Sequence, residues 1–266
     1  MAGAKKQVHL AAHFPGVNNH TVWSDPDAGS QIEFSSFAQL ARTAERGTFD
    51  FFFLAEGLRL REQRGRLYDL DVAGRPNTTA ILAAVAAVTT RLGLAGTLSA
   101  TYNEPYDLAR QFATLDHVSG GRAAWNVVTS PDAFTGANFR RGGYLDPQLR
   151  YERAREFVQT AREVWDSWQD GDLVGDRDSG RFLRDGSVGA FAHHGEQFDI
   201  SGRFTLPRSP QVHPVQLQAG DSDGGRELAA SSADAIFTRH STFEAGRAFY
   251  ADVKGRLARY GRSPTS

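Results

Sequence analysis

The chain has 266 residues, of which 40% are apolar and 23% charged, and its formal net charge is −1. This balance is typical of a globular domain and gives no electrostatic footprint for nucleic acid or for an anionic membrane surface. The absence of cysteine excludes disulfides, thiolate metal ligands and cysteine nucleophiles. No apolar run approaches the about 18 residues of a membrane span, and the N-terminus lacks a signal-peptide pattern, so we expect a cytoplasmic protein.

Apolar runs alternate with helical patterns along the chain. The runs predict strands at residues 8–14, 50–56, 92–100, 122–129, 215–219 and 235–238. The helical patterns lie at residues 34–46, 77–89, 105–119, 147–168, 226–230 and 243–260. Between them, residues 170–206 are rich in Gly and Asp with short β-like pieces, which indicates an excursion from the main fold.

The alternation of strands and helices predicts a parallel α/β fold, because the strands are apolar on both faces. An open doubly wound sheet and a (β/α) barrel both fit this pattern. No Gly-rich fingerprint follows the first strand, which disfavours a dinucleotide-binding sheet. A barrel explains why polar residues end several strands, although we count only about six βα units and a barrel needs eight. These strand-end residues are His13, Glu56, Ser99, Asn126 and Asp221.

A Gly-rich turn, Gly220 to Gly225, follows the fifth predicted strand and leads into a helix. Such a turn is a ready phosphate site, because the first helical N–H groups lack intrahelical partners and the helix dipole is positive there. Ser222 is able to cap the helix and to donate to a phosphate oxygen, and Arg226 to add a charge-assisted contact. Turn geometry alone also explains these residues, and Asp221 and Asp223 oppose an anion.

Longer segments carry a family resemblance, including the motifs NVVTS, RYE and QAGDS. They cover residues 14–26, 49–57, 96–130, 138–157, 165–168, 195–230 and 233–240. These segments resemble the bacterial luciferase-like flavin monooxygenases, and most of all the branch of nitrilotriacetate monooxygenase component A. The resemblance extends over nearly the whole chain.

The resemblance implies a (β/α)8 barrel of the TIM type. Residues 1–266 are then a single domain, with residues 170–206 inserted and the family's C-terminal third absent. It also implies a two-component enzyme that receives reduced FMN from a separate flavin reductase and uses O2 to oxidise a small organic substrate. We further expect a homo-oligomer that binds neither nucleic acid nor membrane and holds no metal.

The resemblance also implies a flavin site at the strand ends. Tyr151, Gly220 and Ser222 are expected at the FMN phosphate, and Glu56, in place of the family's usual Asp, near the isoalloxazine. The remaining cofactor-binding candidates are Thr97, Ser99, Thr101, Asn126 and Thr129. His13 and His20 are candidates for hydrogen bonds to flavin or substrate, although a lone histidine at a strand end is often structural.

Two other functions remain open. The first alternative is a non-catalytic remnant or half of a split protein, because the resemblance implies that the family's last strands are absent. The deazaflavin F420, which related barrels use, is the alternative cofactor, although the NVVTS and RYE motifs favour FMN. The branch oxidises chelators, sulfones, alkanes and antibiotic precursors, so the resemblance leaves the substrate open.

Overall fold

The computed structural model describes residues 7–15, 24–60, 62–67, 74–130, 136–139 and 147–264. The chain divides into two compact units, residues 1–96 and residues 97–266. No helix in the described ranges is long and apolar enough to cross a membrane.

The first unit contains parallel strands and two helices. Its elements are β1 (Ala11–His13), α1 (Phe34–Arg46), β2 (Phe51–Leu54), β3 (Glu62–Gln63), β4 (Arg66–Leu67), α2 (Thr78–Ala86) and the first part of β5 (Gly93–Ser99). β2 pairs in parallel with β1 on one side and with β5 on the other. Phe52 and Phe53 point to opposite faces of β2 and are both buried, so both faces of this strand are covered.

A carboxylate near the end of α1 binds the backbone of residues 90–92, which lead into β5. Glu45 Oε1 accepts the backbone N–H groups of Thr90, Arg91 and Leu92 at 2.8, 2.6 and 3.0 Å. Burial opposes ionisation, but these N–H groups lower the pKa of the Glu45 carboxyl below its ordinary value. One side chain therefore satisfies three consecutive backbone donors that precede the strand ladder.

The second unit carries the longer helices and two antiparallel hairpins. After the end of β5 come α3 (Pro105–Ser119), β6 (Ala123–Val128), α4 (Pro147–Asp166), β7 (Leu173–Asp176), β8 (Arg181–Leu183), β9 (Ala190–His194), β10 (Asp199–Arg203), β11 (Val215–Gln218), α5 (Asp223–Ser232), β12 (Ala235–Ile236), α6 (Phe243–Arg256) and a 3₁₀ turn (Leu257–Tyr260). β11 pairs in parallel with β6 and β12, while β7 pairs with β8, and β9 with β10, in antiparallel fashion.

Trp125 lies at the centre of this unit's core. Its ring centroid is 5.9 Å from that of Phe112 on α3 and 5.8 Å from that of Phe157 on α4. Its indole N–H donates to the carbonyl oxygen of Leu98 at 3.1 Å, so the buried ring leaves no polar atom without a partner. The helices thus cover β6 with an aromatic layer.

The strand order of the parallel sheet is β1-β2-β5-β6-β11-β12. Each new strand is added beside the preceding one, always in the same direction. A doubly wound sheet reverses direction at a switch point, whereas a barrel winds in one direction. The order confirms the α/β class and favours the barrel over the open sheet, and eight-fold closure stays a prediction.

The structure refines several predicted element boundaries. α1 has the predicted bounds, whereas β1 begins three residues after the predicted start and the predicted last helix ends in the 3₁₀ turn. Residues 57–75, which carry no strand pattern, nonetheless contain the small hairpin of β3 and β4, whose turn places Gly65 at a φ of +73°. The Gly- and Asp-rich excursion at residues 170–206 contains the two hairpins β7–β8 and β9–β10.

Candidate functional site

The loop between β11 and α5 is organised by a helix cap. Ser222 precedes α5 in extended conformation, and its hydroxyl oxygen accepts the N–H of Gly225 at 3.2 Å. This is the cap that the sequence predicts, since serine oxygens replace the missing intrahelical acceptor at a helix start. The start of α5 therefore directs backbone N–H groups and the positive end of its dipole toward the loop.

Three glycines allow this loop to fold closely on itself. A Cβ at Gly225 would lie 2.9 Å from the carbonyl oxygen of Gly220, and a Cβ at Gly220 would lie 2.7 Å from Nε2 of Gln218. A Cβ at Gly224 would lie 2.6 Å from ring carbon Cδ2 of Tyr151. Neighbouring atoms already occupy the positions that these side chains would take, so only small residues let the loop pack as a cradle against the Tyr151 ring.

Tyr151 connects the first turns of α4 to this cradle. Its phenol oxygen lies 2.7 Å from the hydroxyl oxygen of Ser222. Two hydroxyl groups and the start of a helix thus converge at one point, which is the chemistry that holds a phosphate or a similar anion. The structure brings together Tyr151, Gly220 and Ser222, the residues that the family resemblance places at the FMN phosphate, and phosphate binding itself stays a prediction.

The two acidic residues beside the cradle are occupied by other partners. Asp223 forms an ion pair with Arg256 at 2.7 Å. The carboxylate of Asp221 accepts the hydroxyl of Thr238 at 2.7 Å. Arg256 therefore compensates the charge of Asp223, whereas Asp221 keeps its charge and still opposes an anion here.

Arg226 does not point to the anion position that the sequence suggests. Its Nη1 donates to Asp252 on α6 at 2.9 Å, and its Nε donates to the carbonyl oxygen of Asp221 at 3.0 Å. The guanidinium also lies over the Phe249 ring, 5.0 Å from its centroid. Packing of α6 against α5 supplies Asp252 and Phe249, which the local sequence does not reveal.

The ends of β5 and β6 carry a buried amide. Asn126 Nδ2 donates to the hydroxyl oxygen of Thr97 at 2.9 Å, and both side chains are buried. Asn126 Oδ1 is also buried but has no hydrogen-bond partner among the described residues. Because buried polar atoms are nearly always paired, this oxygen is suited to accept an N–H group from a ligand.

Several hydroxyl groups lie at and just beyond the ends of β5 and β6. Ser99 Oγ lies 2.9 Å from Ser130 Oγ, and the Ser130 N–H donates to Thr101 Oγ1 at 3.1 Å. The sequence identified Ser99 and Thr101 but missed Ser130, although Ser130 ends the NVVTS motif. Thr129, the other predicted residue of that motif, accepts Nη1 of Arg150 through its carbonyl and hydroxyl oxygens, both at 3.3 Å.

His13 and Glu56 belong to the first unit. The His13 ring stacks on Phe53 with centroids 5.4 Å apart, and its pKa is lowered, first by desolvation and then by the charge of Arg75. Glu56 follows β2 and is half-buried. The other candidate histidine, His20, lies outside the described residues. Within the described ranges, no group of three or more His, Asp or Glu side chains is arranged to hold a metal ion.

Comparison with known proteins gives a family match. Residues 17–266 match the luciferase-like monooxygenase family. The chain is 43% identical to nitrilotriacetate monooxygenase component A of Aminobacter aminovorans, across 98% of this chain and 60% of that protein. It is 40% identical to the N-acetyl-S-(2-succino)cysteine monooxygenase of Bacillus subtilis (strain 168), across 99% of this chain and 60% of that protein.

A solved structure supports the same relationship. The fold superposes with a TM-score of 0.90 on a riboflavin lyase crystallised with modified FMN and riboflavin, at 27% identity, covering 97% of this chain and 60% of that one. The chain thus spans about 60% of the length of the relatives it matches. By sequence and fold together, the chain belongs to the luciferase-like monooxygenase family.

Proposed function

We propose that this chain forms the flavin-binding part of a two-component monooxygenase. Reduced FMN comes from a partner flavin reductase, and O2 oxidises a small organic substrate. The observation that carries the proposal is the contact of Tyr151 with Ser222 at the start of α5. Family membership and the names of the two monooxygenase relatives support it.

The cradle fits the phosphate of FMN. The hydroxyl groups of Tyr151 and Ser222 donate to phosphate oxygens, and the first N–H groups of α5 add further donors. Gly220 and Gly224 let the loop pack closely against Gln218 and Tyr151, because a side chain at either position would collide with these neighbours. The fit depends on backbone and hydroxyl donors, since Arg226 is engaged by Asp252.

The strand ends fit the flavin ring. Asn126 Oδ1 supplies an acceptor that lacks a partner, and it suits a ring N–H. The lining hydroxyl residues of the second unit are proposed to complete the ring site, and Glu56 and His13 stay candidates within the first unit. These lining residues are Thr97, Ser99, Thr101 and Thr129.

Bound reduced FMN supplies the electrons for O2 activation, so the protein need not provide an acid–base pair of its own. The residues of the chain are proposed to bind and orient the flavin and to exclude water from the site. Hydroxyl and amide groups at the ends of β5 and β6 suit this role, because they fix a ring by hydrogen bonds without bringing charge into the site.

We propose a small organic molecule as the substrate and do not specify it further, because the relatives are named for chemically different compounds. We propose a homo-oligomer. Since the chain spans about 60% of its relatives, the test must ask whether these 266 residues bind flavin unaided.

Anaerobic titration of the purified chain tests the proposal. Reduced FMN is expected to bind saturably and with higher affinity than reduced F420, followed by flavin fluorescence and absorbance. Admission of O2 should then give reoxidation kinetics that differ from those of free reduced FMN. A folded chain that binds no flavin would instead support a non-catalytic remnant or half of a split protein, and preference for F420 would support the other cofactor.

A further inference from the structure

Arg150 is a buried cation next to the candidate site. Only 8% of its surface is exposed. Its described hydrogen bonds both come from Nη1, which donates to the carbonyl and hydroxyl oxygens of Thr129 at 3.3 Å. Its Nε is buried and has no hydrogen-bond partner among the described residues. A guanidinium has five N–H groups, so the two bonds from Nη1 leave part of its hydrogen-bonding capacity unused within the described structure.

The charge of Arg150 has no counter-ion among the residues that the structure describes. No carboxylate in the described part of the chain forms an ion pair with it, whereas Arg226 and Arg256 at the same cradle are paired with Asp252 and Asp223. A buried charge without a partner is costly. The site therefore favours a ligand that brings negative charge close to this guanidinium.

Arg150 lies close to the cradle through its contact with Tyr151. Its Cζ lies over the ring of Tyr151, 5.7 Å from the centroid. The same ring packs against Gly224, and its phenol oxygen contacts Ser222. Arg150 thus lies beside the one side chain that joins α4 to the cradle.

We propose that Arg150 supplies the counter-charge for the phosphate of the flavin and positions Tyr151 for it. This inference rests on the proposed function. A phosphate monoester carries nearly two negative charges at pH 7, and the described hydroxyl and backbone donors at the cradle bring no full positive charge. The buried guanidinium balances part of this charge, while its bonds to Thr129 fix the start of α4 against the end of β6.

Discrimination between FMN and riboflavin tests this role, because the two ligands differ only by the phosphate. In Arg150→Met, the affinity for FMN should fall by about tenfold or more, whereas the affinity for riboflavin should remain. Arg150→Lys should keep most of the preference for FMN, because it keeps the charge. The preference should also weaken with salt in the wild type and not in Arg150→Met. If Arg150→Met fails to fold, Arg150→Gln takes its place.

A second measurement separates this inference from the proposed function. Inorganic phosphate should raise the melting temperature of the wild type and of Arg150→Lys but not that of Arg150→Met. If the wild type binds no flavin but shows this pattern, the proposed function fails and Arg150 remains the counter-charge for a phosphate group from another ligand. An equal preference for FMN in the wild type and in Arg150→Met would overturn the role of Arg150 and leave the proposed function in place. Equal phosphate shifts in all variants would also overturn that role.

Discussion

The phenol oxygen of Tyr151 lies 2.7 Å from the hydroxyl oxygen of Ser222, although 71 residues separate them along the chain. The first belongs to the RYE motif of α4, and the second caps α5 after the Gly-rich turn. The contact places two hydroxyl groups at the positive end of a helix dipole. It therefore converts two short motifs into one candidate anion site.

Tyr151→Phe should weaken FMN binding and leave the fold intact. Phenylalanine keeps the ring that packs on Gly224 but loses the hydroxyl that contacts Ser222. We expect a loss of affinity for FMN of about 3- to 10-fold, the range of a single hydrogen bond. Titration of the variant beside Tyr250→Phe, which alters an exposed tyrosine on α6, checks this. Equal affinities in the two variants would remove the Tyr151 hydroxyl from the site.

Ser222→Asp separates capping from ligand binding. Aspartate caps helices as well as serine does, so the free energy of unfolding should change little. Its carboxylate would face the phosphate, so the affinity for FMN should fall by about tenfold or more, while riboflavin binding persists. Ser231→Asp, which adds the same charge near the other end of α5, is the control. An unchanged affinity for FMN in Ser222→Asp would exclude this loop from the site.

Gly224→Ala should cost stability and displace Tyr151. The new Cβ would lie 2.6 Å from the tyrosine ring, and such overpacking costs about 1–3 kcal/mol. Gly255→Ala on α6 is the matched control, because no heavy atom lies within 4 Å of its Cβ position. There alanine should stabilise the helix by about 0.5–1 kcal/mol. Urea unfolding of both variants measures the contrast, and similar values for the two would argue against the tight cradle.

Glu227 should make the second unit sensitive to acid. Its carboxylate accepts the hydroxyl of Tyr260 at 2.6 Å and pairs with Arg256 at 2.8 Å and Arg259 at 3.3 Å. The Tyr260 hydroxyl first, and the arginines after it, hold the pKa of Glu227 below its ordinary value of 4.5. The contribution of ionised Glu227 to the free energy of unfolding is therefore fully present above about pH 4.5. It is lost as the pH falls through the lower folded-state pKa.

Glu227→Gln tests this pH dependence. The variant should be less stable than the wild type by about 1–3 kcal/mol near neutral pH, and the gap should narrow as the pH falls below about 4.5. Urea midpoints at several pH values measure it. Glu244→Gln, at the exposed start of α6, controls for loss of a carboxylate as such. A gap that stays constant with pH would show that ionisation of Glu227 is not what stabilises α5 against α6.

Much of the fold follows from local pattern. The apolar runs at residues 50–56 and 122–129 indicate strands buried on both faces, and parallel pairing follows from that burial. The bounds of α1 and the cap at Ser222 also depend on neighbouring residues alone, because capping involves atoms within one helical turn. The sequence could not choose between a sheet wound in one direction and a doubly wound sheet, since strand order is set by helix packing between distant strands.

Some features of the candidate site are also visible in the sequence, whereas others depend on the tertiary structure. The Gly-rich turn is compatible with a phosphate site, and the family resemblance of the RYE and QAGDS motifs implies one. Only the tertiary structure decided that Tyr151 meets Ser222, that Arg226 turns to Asp252, and that the guanidinium of Arg150 is buried beside them. Sequence determines which side chains are able to make such contacts. The packing of α4 and α6 against α5 decides which of them do, because contacts between distant residues depend on how whole elements settle against each other.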